Sequence, residues 1–248
     1  MKYRDLLKKE LDKNTIALGS RVGGLLTLDI NKYPSITITG ETGSGKSVLL
    51  NQIILQMISK YTSDDLRLVL IDTTGVELND YKNTTYRLLT AYNDVNKAQE
   101  VLVKVLEEID RRKKLLLEYN MSNIDEYNAK FDHHIPRLIV AIDDNRSLLG
   151  IEDVDNMIKN IIDRIYNLNI LFVLSTNNTN NDFFKEDGNL ASKVLITFDT
   201  TCEEESNNTD IPFSHDLLKG KFIIYKDGNY EEYQNMDFDE DIIKEIVD

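Results

Sequence analysis

Cysteine is nearly absent: Cys202 is the one thiol among 248 residues. A single thiol excludes an internal disulfide, and sparse cysteine suits a reducing compartment. Long apolar runs are missing as well. No stretch approaches the roughly 18–20 residues that a bilayer span requires. The N-terminus, Met1-Lys2-Tyr3-Arg4-Asp5, leads into no hydrophobic signal segment. These absences point to a cytoplasmic chain that, if it works at a membrane, is held there by a membrane-anchored partner. Positive charge is not in excess either. The formal net charge is −14, and it is uneven. Residues 149–248 carry 8 Lys+Arg against 22 Asp+Glu, while residues 1–148 carry 21 of each sign. Binding to a phosphate backbone rests on clustered Lys and Arg, so charge lends nucleic-acid recognition no support. Internal repeats and long linkers are also lacking, and the length fits one α/β domain.

What is present is a phosphate loop. Gly40-Glu41-Thr42-Gly43-Ser44-Gly45-Lys46-Ser47 completes the pattern G-x-x-x-x-G-K-[ST]. It follows an alternating β-branched run, Ser35–Thr39, and opens an apolar-periodic helix from Ser47 to about Ser59. Strand, glycine loop and helix in that order let successive backbone N–H groups face phosphate oxygens, and the helix N-terminus adds partial positive charge there. In this pattern Lys46 reaches the β- and γ-phosphates of a nucleotide such as ATP, and Ser47 holds Mg²⁺.

The rest of the chain alternates strands and helices, which predicts a mostly parallel sheet covered on both faces. A short amphipathic helix is expected over Tyr3–Leu11, within an N-terminal arm of residues 1–16; residues 17–248 form the main domain. Strands are expected over Leu25–Ile30, Leu66–Asp72, Leu138–Asp144, Ile170–Ser175, Lys193–Phe198 and Lys221–Tyr225. Asp94 is placed to cap a long helix to about Tyr119. Shorter helices follow over Asn123–Phe131, Ile151–Tyr166 and Phe238–Val247, with a polar loop over Asn177–Asp187.

Hydrolysis at a phosphate loop needs an acid at a neighbouring strand end to hold Mg²⁺, and commonly a second acid to polarise water. Leu138–Asp144 ends in both, so Asp143 reads as the Mg²⁺ partner and Asp144 as the water-activating base. Asp72 reads as a loop-stabilising residue. Asn177, after the next strand, is a candidate sensor of the γ-phosphate. His133 and His134 lack further ligands for a metal, and Cys202 has no basic neighbours to activate it.

Several blocks together resemble the motor domains of the FtsK/SpoIIIE family. They are Ile38–Asn51 with the phosphate loop, Asp65–Asp72 followed by Gly75-Val76-Glu77-Leu78, Glu108–Leu115, Asn123–Asn128, Leu138–Asp144 and Val173–Asn177. The resemblance implies a RecA-like P-loop NTPase fold, with Gly40 to Val48 and Asn177 around ATP and Mg²⁺. It implies an ATPase that assembles as a hexameric ring and moves double-stranded DNA. Departures from the family pattern are specific. Thr73-Thr74 replaces Pro-Lys, Asp143-Asp144 replaces Asp-Glu, and Thr176-Asn177-Asn178-Thr179 replaces Thr-Gln-Arg-Pro. Tyr166 stands where an arginine is usual, with Arg164 two residues away. Two readings therefore remain: a DNA-translocating motor, or a weakly hydrolysing ATP-binding module like those of type VII secretion ATPases, acting through protein–protein contacts.

Overall fold

A computed structural model describes residues 2–131, 134–145, 148–177, 193–198 and 220–247. Its strands are β1 (Thr15–Arg21), β2 (Gly24–Asp29), β3 (Ser35–Thr39), β4 (Leu66–Asp72), β5 (Arg87–Tyr92), β6 (Arg137–Asp144), β7 (Ile170–Thr176), β8 (Lys193–Thr197), β9 (Lys221–Lys226) and β10 (Asn229–Gln234). They form one sheet in the order β2-β1-β10-β9-β8-β3-β7-β6-β4-β5. The six strands from β8 to β5 run parallel. The block from β2 to β9 is antiparallel and joins β8 antiparallel.

Helices cover both faces. They are α1 (Tyr3–Leu7), α2 (Lys46–Ile58), α3 (Val95–Tyr119), α4 (Ile124–Lys130), α5 (Glu152–Arg164) and α6 (Asp241–Val247). The two-residue period of the central strands divides the core cleanly. Leu68, Leu70, Ile139, Ala141, Leu171 and Val173 pack on the α2 side. Val69, Ile71, Val140, Ile142, Phe172 and Leu174 pack on the side of α3 and α5. Strands buried on both faces read as continuous apolar runs, which is why β4, β6 and β7 are legible from sequence.

Helix α2 is buried almost all round because α1, α6 and β1 wrap its outer side. Two of its glutamines bond to the backbone of the segments around it. Gln56 exchanges hydrogen bonds with the backbone of Ala17 at 2.7 and 2.8 Å, and Gln52 donates to the Met236 carbonyl at 3.1 Å. Residues 3–7 also join this core: Tyr3 and Leu6 are buried, and the Tyr3 hydroxyl donates to the Gln52 carbonyl at 2.7 Å. The expected helix over Tyr3–Leu11 is shorter, stopping at Leu7. Asp94 caps α3 as expected, accepting from the Lys97 N–H at 3.0 Å.

Three strands were not anticipated: β1, β5 and β10. Strand β1 carries a bulge between Ala17 and Gly19, which breaks its alternation. Strand β5 is a sheet edge with Ala91 its one buried residue. Strand β10, Asn229–Gln234, is mostly exposed and polar.

Candidate functional site

Strand β3 lies between β7 and β8, and the chain leaves its C-terminal end into the glycine loop. Gly40, Gly43 and Gly45 have φ of +145°, +83° and +117°, a region that side chains disfavour. A Cβ on Gly40 would also stand 2.8 Å from the Phe198 Cβ. The loop then enters α2 at Lys46. Lys46 is buried, and its Nζ donates to the Glu41 carbonyl at 2.8 Å, within the loop itself. Ser47 begins the first turn, and its carbonyl accepts from Asn51 Nδ2 at 2.9 Å.

Residues just before β9 and just after β10 fasten the loop from outside. The Gly220 N–H donates to the Ser44 carbonyl at 3.3 Å, and Asn235 Nδ2 donates to the Gly45 carbonyl at 3.0 Å. A cavity of about 460 Å³ opens there, lined by Ser44, Gly45, Val48, Asn235 and Phe238 among others. The Ser44 hydroxyl is buried with no hydrogen-bond partner among the described residues. A glycine cradle, a buried hydroxyl left without a partner and an adjoining cleft fit a nucleoside triphosphate.

The parallel register sets the acids in a row. Asp72 lies opposite Asp143, Asp143 opposite Ser175, and Asp144 opposite Thr176. Alternation then separates the adjacent pair. Asp143 shares its face with Ile139 and Ala141, the α2 side, whereas Asp144 shares its face with Val140 and Ile142. Burial pushes the Asp143 carboxyl up to about 6, opposed by the neighbouring Ser175 hydroxyl; the charges of Asp72 and Glu77 raise it further, and that of Lys46 lowers it. Asn145 Nδ2 donates to Asp143 Oδ2 at 3.2 Å.

Asp144 is fully buried, and its two oxygens accept from the backbone N–H groups of Leu148 at 2.9 Å and Leu149 at 3.2 Å. Thr176 adds a contact at 3.5 Å. Its carboxylate thus staples the loop after β6. Asp72 does the same after β4. It accepts from the N–H groups of Thr74, Gly75 and Leu78 and from the Thr74 hydroxyl, at 2.8–3.0 Å. Thr73 stitches the two strand ends together: its N–H donates to the Asp143 carbonyl at 3.0 Å, and its hydroxyl accepts from the Asn145 N–H at 3.0 Å. The threonines in place of Pro-Lys therefore serve local backbone bonds.

The loop held by Asp72 brings in Glu77, which was not singled out as a site residue from sequence. Burial raises its carboxyl, as does the charge of Asp72, while the nearby Ser47 hydroxyl and the charge of Lys46 lower it. Its signal was present in the block Gly75-Val76-Glu77-Leu78. Asn177 follows β7, between the glycine loop and the acids of β6. Its Oδ1 is buried without a partner among the described residues. Asn178, Thr179, His133 and Cys202 lie outside the described residues.

Other candidates lie away from this end of the sheet. Tyr166 is 54% exposed beyond the C-terminus of α5. Arg164 pairs with Asp110 and, at 3.3 Å, with Asn160. Of the two arginines on α3, Arg111 pairs with Glu108 on the surface. Arg112 is buried, bonding Glu108 and the carbonyls of Pro136, Leu168 and Asn169. His134 pairs with Asp65 at 2.9 Å.

Residues 4–183 match the sequence model of the FtsK/SpoIIIE family. Among curated relatives, the DNA translocase FtsK of Clostridium tetani is 29% identical over 233 residues, covering 89% of this chain and 31% of the relative. That of Helicobacter pylori J99 is 37% identical over 150 residues, 58% of this chain and 18% of the relative. The chain thus spans a third or less of the length of these relatives. Solved structures show the fold. EssC (ATPases 2 and 3) from Geobacillus thermodenitrificans superimposes with a TM-score of 0.79 at 20% identity, over 94% of this chain and 48% of that one. The pCW3 conjugation coupling protein TcpA, a monomer form with ATPγS, gives 0.73 at 23% identity over 96% and 71%.

Proposed function

The chain belongs to the FtsK/SpoIIIE family, and we propose that it is an ATP-binding motor unit that couples hydrolysis to movement along double-stranded DNA. One observation carries the reading. The glycine loop, Lys46 and Ser47 stand on the same face of a RecA-like sheet as Asp143, with Asn177 between them in strand order. In this role the N–H groups from Gly43 to Ser47 cradle the phosphates. Lys46 leaves the Glu41 carbonyl for the phosphate oxygens. Ser47 and Asp143 hold Mg²⁺, directly and through water, and Asn177 senses the terminal phosphate. The nucleoside end lies toward Val48 and the adjoining cleft. When bound, ATP–Mg²⁺ supplies the γ-phosphoryl group that water displaces. A hexameric ring in the cytoplasm, docked where needed on a membrane-anchored partner, completes the proposal.

A second reading is favoured by Asp144. A carboxylate with both oxygens bonded to backbone N–H groups is not poised to take a proton from water. That arrangement suits a slowly hydrolysing module that acts on a protein or peptide. Displacement of a third strand from a DNA triplex tests the motor. ATP-dependent displacement, lost in Lys46→Ala, supports translocation. Displacement absent under ring-forming conditions, with nucleotide binding intact, supports the module.

A further inference from the structure

A second cavity, of about 300 Å³, opens at the opposite end of the sheet from the glycine loop. Arg137 begins β6, Ile170 begins β7 and Pro34 precedes β3, so the cavity sits at the N-terminal ends of these parallel strands. Ligands of open α/β sheets ordinarily bind at the other, carboxyl end, and none of the phosphate-loop residues lines this cavity. Arg137 lines it and is 2% exposed, yet no described carboxylate bonds its guanidinium. Its Nη2 donates to the side-chain oxygens of Asn14 at 2.8 Å and Asn31 at 2.9 Å, while Nε is buried without a partner among the described residues. Arg112, the other buried arginine, has the Glu108 carboxylate and three carbonyls. A buried cation without an anion is costly, and an anionic ligand in the cavity would remove that cost.

The neighbouring strand supplies a complementary group. Leu138 pairs with Ile170, which sets Asn169 next to Arg137 at the strand ends, and both line the cavity. Asn169 lies in the left-handed region at φ +57°. Its carbonyl accepts from the Leu138 N–H at 3.0 Å and from Arg112 Nη1 at 3.2 Å, and its Oδ1 is buried with no donor among the described residues. Ile30, Ile165 and Ile170 give the cavity an apolar side. Its charged lining residues are Lys32, Arg137 and Asp125, one positive charge in excess, which matches a monoanion and disfavours a phosphate dianion or a polyanion. Guanidinium is the group of choice for a carboxylate in a desolvated site. We propose that this cavity binds a carboxylate that adjoins an N–H on an aliphatic chain, as an aliphatic amino acid carries it, free or at the C-terminal end of a peptide. The carboxylate meets Arg137, the N–H meets Asn169 Oδ1, and the aliphatic group lies on the isoleucines. A few polar groups fixing orientation on an apolar wall is the ordinary build of a small-molecule site.

Calorimetric titration of the nucleotide-free chain tests this. N-acetyl-leucine carries all three groups and binds saturably. N-acetyl-leucine amide, which lacks the charge, binds about 10-fold more weakly or worse, and isocaproate, which lacks the N–H, about 5–10-fold more weakly. Asn169→Gly keeps a left-handed backbone. It lowers the affinity for N-acetyl-leucine to that for isocaproate and leaves isocaproate unchanged. Arg137→Gln abolishes the preference for the acid over the amide. Free leucine and an acetylated tripeptide ending in leucine tell the two sources apart: tighter binding of the first marks a free amino acid, of the second a chain end, and each supports the proposal. Absence of saturable binding by any of these probes overturns it. So do equal affinities of the wild type for acid and amide, an Asn169→Gly chain that binds N-acetyl-leucine as the wild type does, and inorganic phosphate binding more tightly than N-acetyl-leucine, which marks a simple oxyanion site. The comparisons among ligands are read on the wild-type chain, so they decide the matter even if Arg137→Gln does not fold.

Discussion

Four acids around the phosphate loop divide by what their oxygens touch. Asp72 and Asp144 hold backbone, while Asp143 and Glu77 lie within the field of Lys46. The division has consequences for stability. Asp144→Asn removes an acceptor from a buried N–H, so unfolding by denaturant should show a loss of about 1–3 kcal/mol. No loss would mean that the loop after β6 does not depend on this staple. Asp143 has the opposite sign. Its folded value is raised to about 6 by burial, so ionisation opposes the fold. The penalty is absent below the unfolded value near 4, grows as pH rises, and is complete above about 6. Asp143→Asn should therefore stabilise the nucleotide-free chain at pH 7.5, by on the order of 2–3 kcal/mol, and the gain should shrink toward pH 4. A gain independent of pH would contradict this. The glycine loop and both acids of β6 were legible in the sequence because their spacing is tied to chemistry. The separate roles of Asp143 and Asp144 follow from strand parity, which needs to be known relative to α2. Glu77 was hidden because its value depends on how a loop folds back over a helix that begins some thirty residues earlier.

The elements were legible in proportion to their burial. Strands β4, β6 and β7 are covered on both faces and announce themselves as apolar runs, and α3 carries its cap in the sequence. Strand β10 was obscured by its polar composition, yet its turn was signalled. Asp227 and Gly228 both have positive φ, at +53° and +76°, and an Asp-Gly pair between two strands is a strong hairpin signal. Strand β1 was obscured by its bulge between Ala17 and Gly19. That glycine permits close packing, since a Cβ there would lie 2.7 Å from the Phe222 Cζ and 2.8 Å from the Gln234 carbonyl oxygen. Gly19→Ala should cost about 1–3 kcal/mol, as overpacking does, read as a lowered thermal midpoint. An unchanged midpoint would show that β1 and β10 can part without cost. The matter reaches function, because residues at the end of β10 clasp the phosphate loop through Asn235.

At the scale of the molecule, the antiparallel block and the parallel block meet where β8 joins β9, and the phosphate loop lies beside that join. Composition alone could not reveal this, because residues 15–29 and 221–234 come together from opposite ends of the chain. The acidic half, by contrast, is plain in the sequence, and under the proposed motor reading any DNA contact falls to local surfaces of a ring instead of to net charge. The central claim is that nucleotide held by Lys46 and Ser47 is spent on DNA. The direct measurement is ATP turnover by the assembled chain, with and without double-stranded DNA, for the wild type and for Lys46→Ala. The account predicts a rate raised severalfold by DNA and abolished by the substitution. A rate in the wild type that DNA leaves unchanged would contradict it.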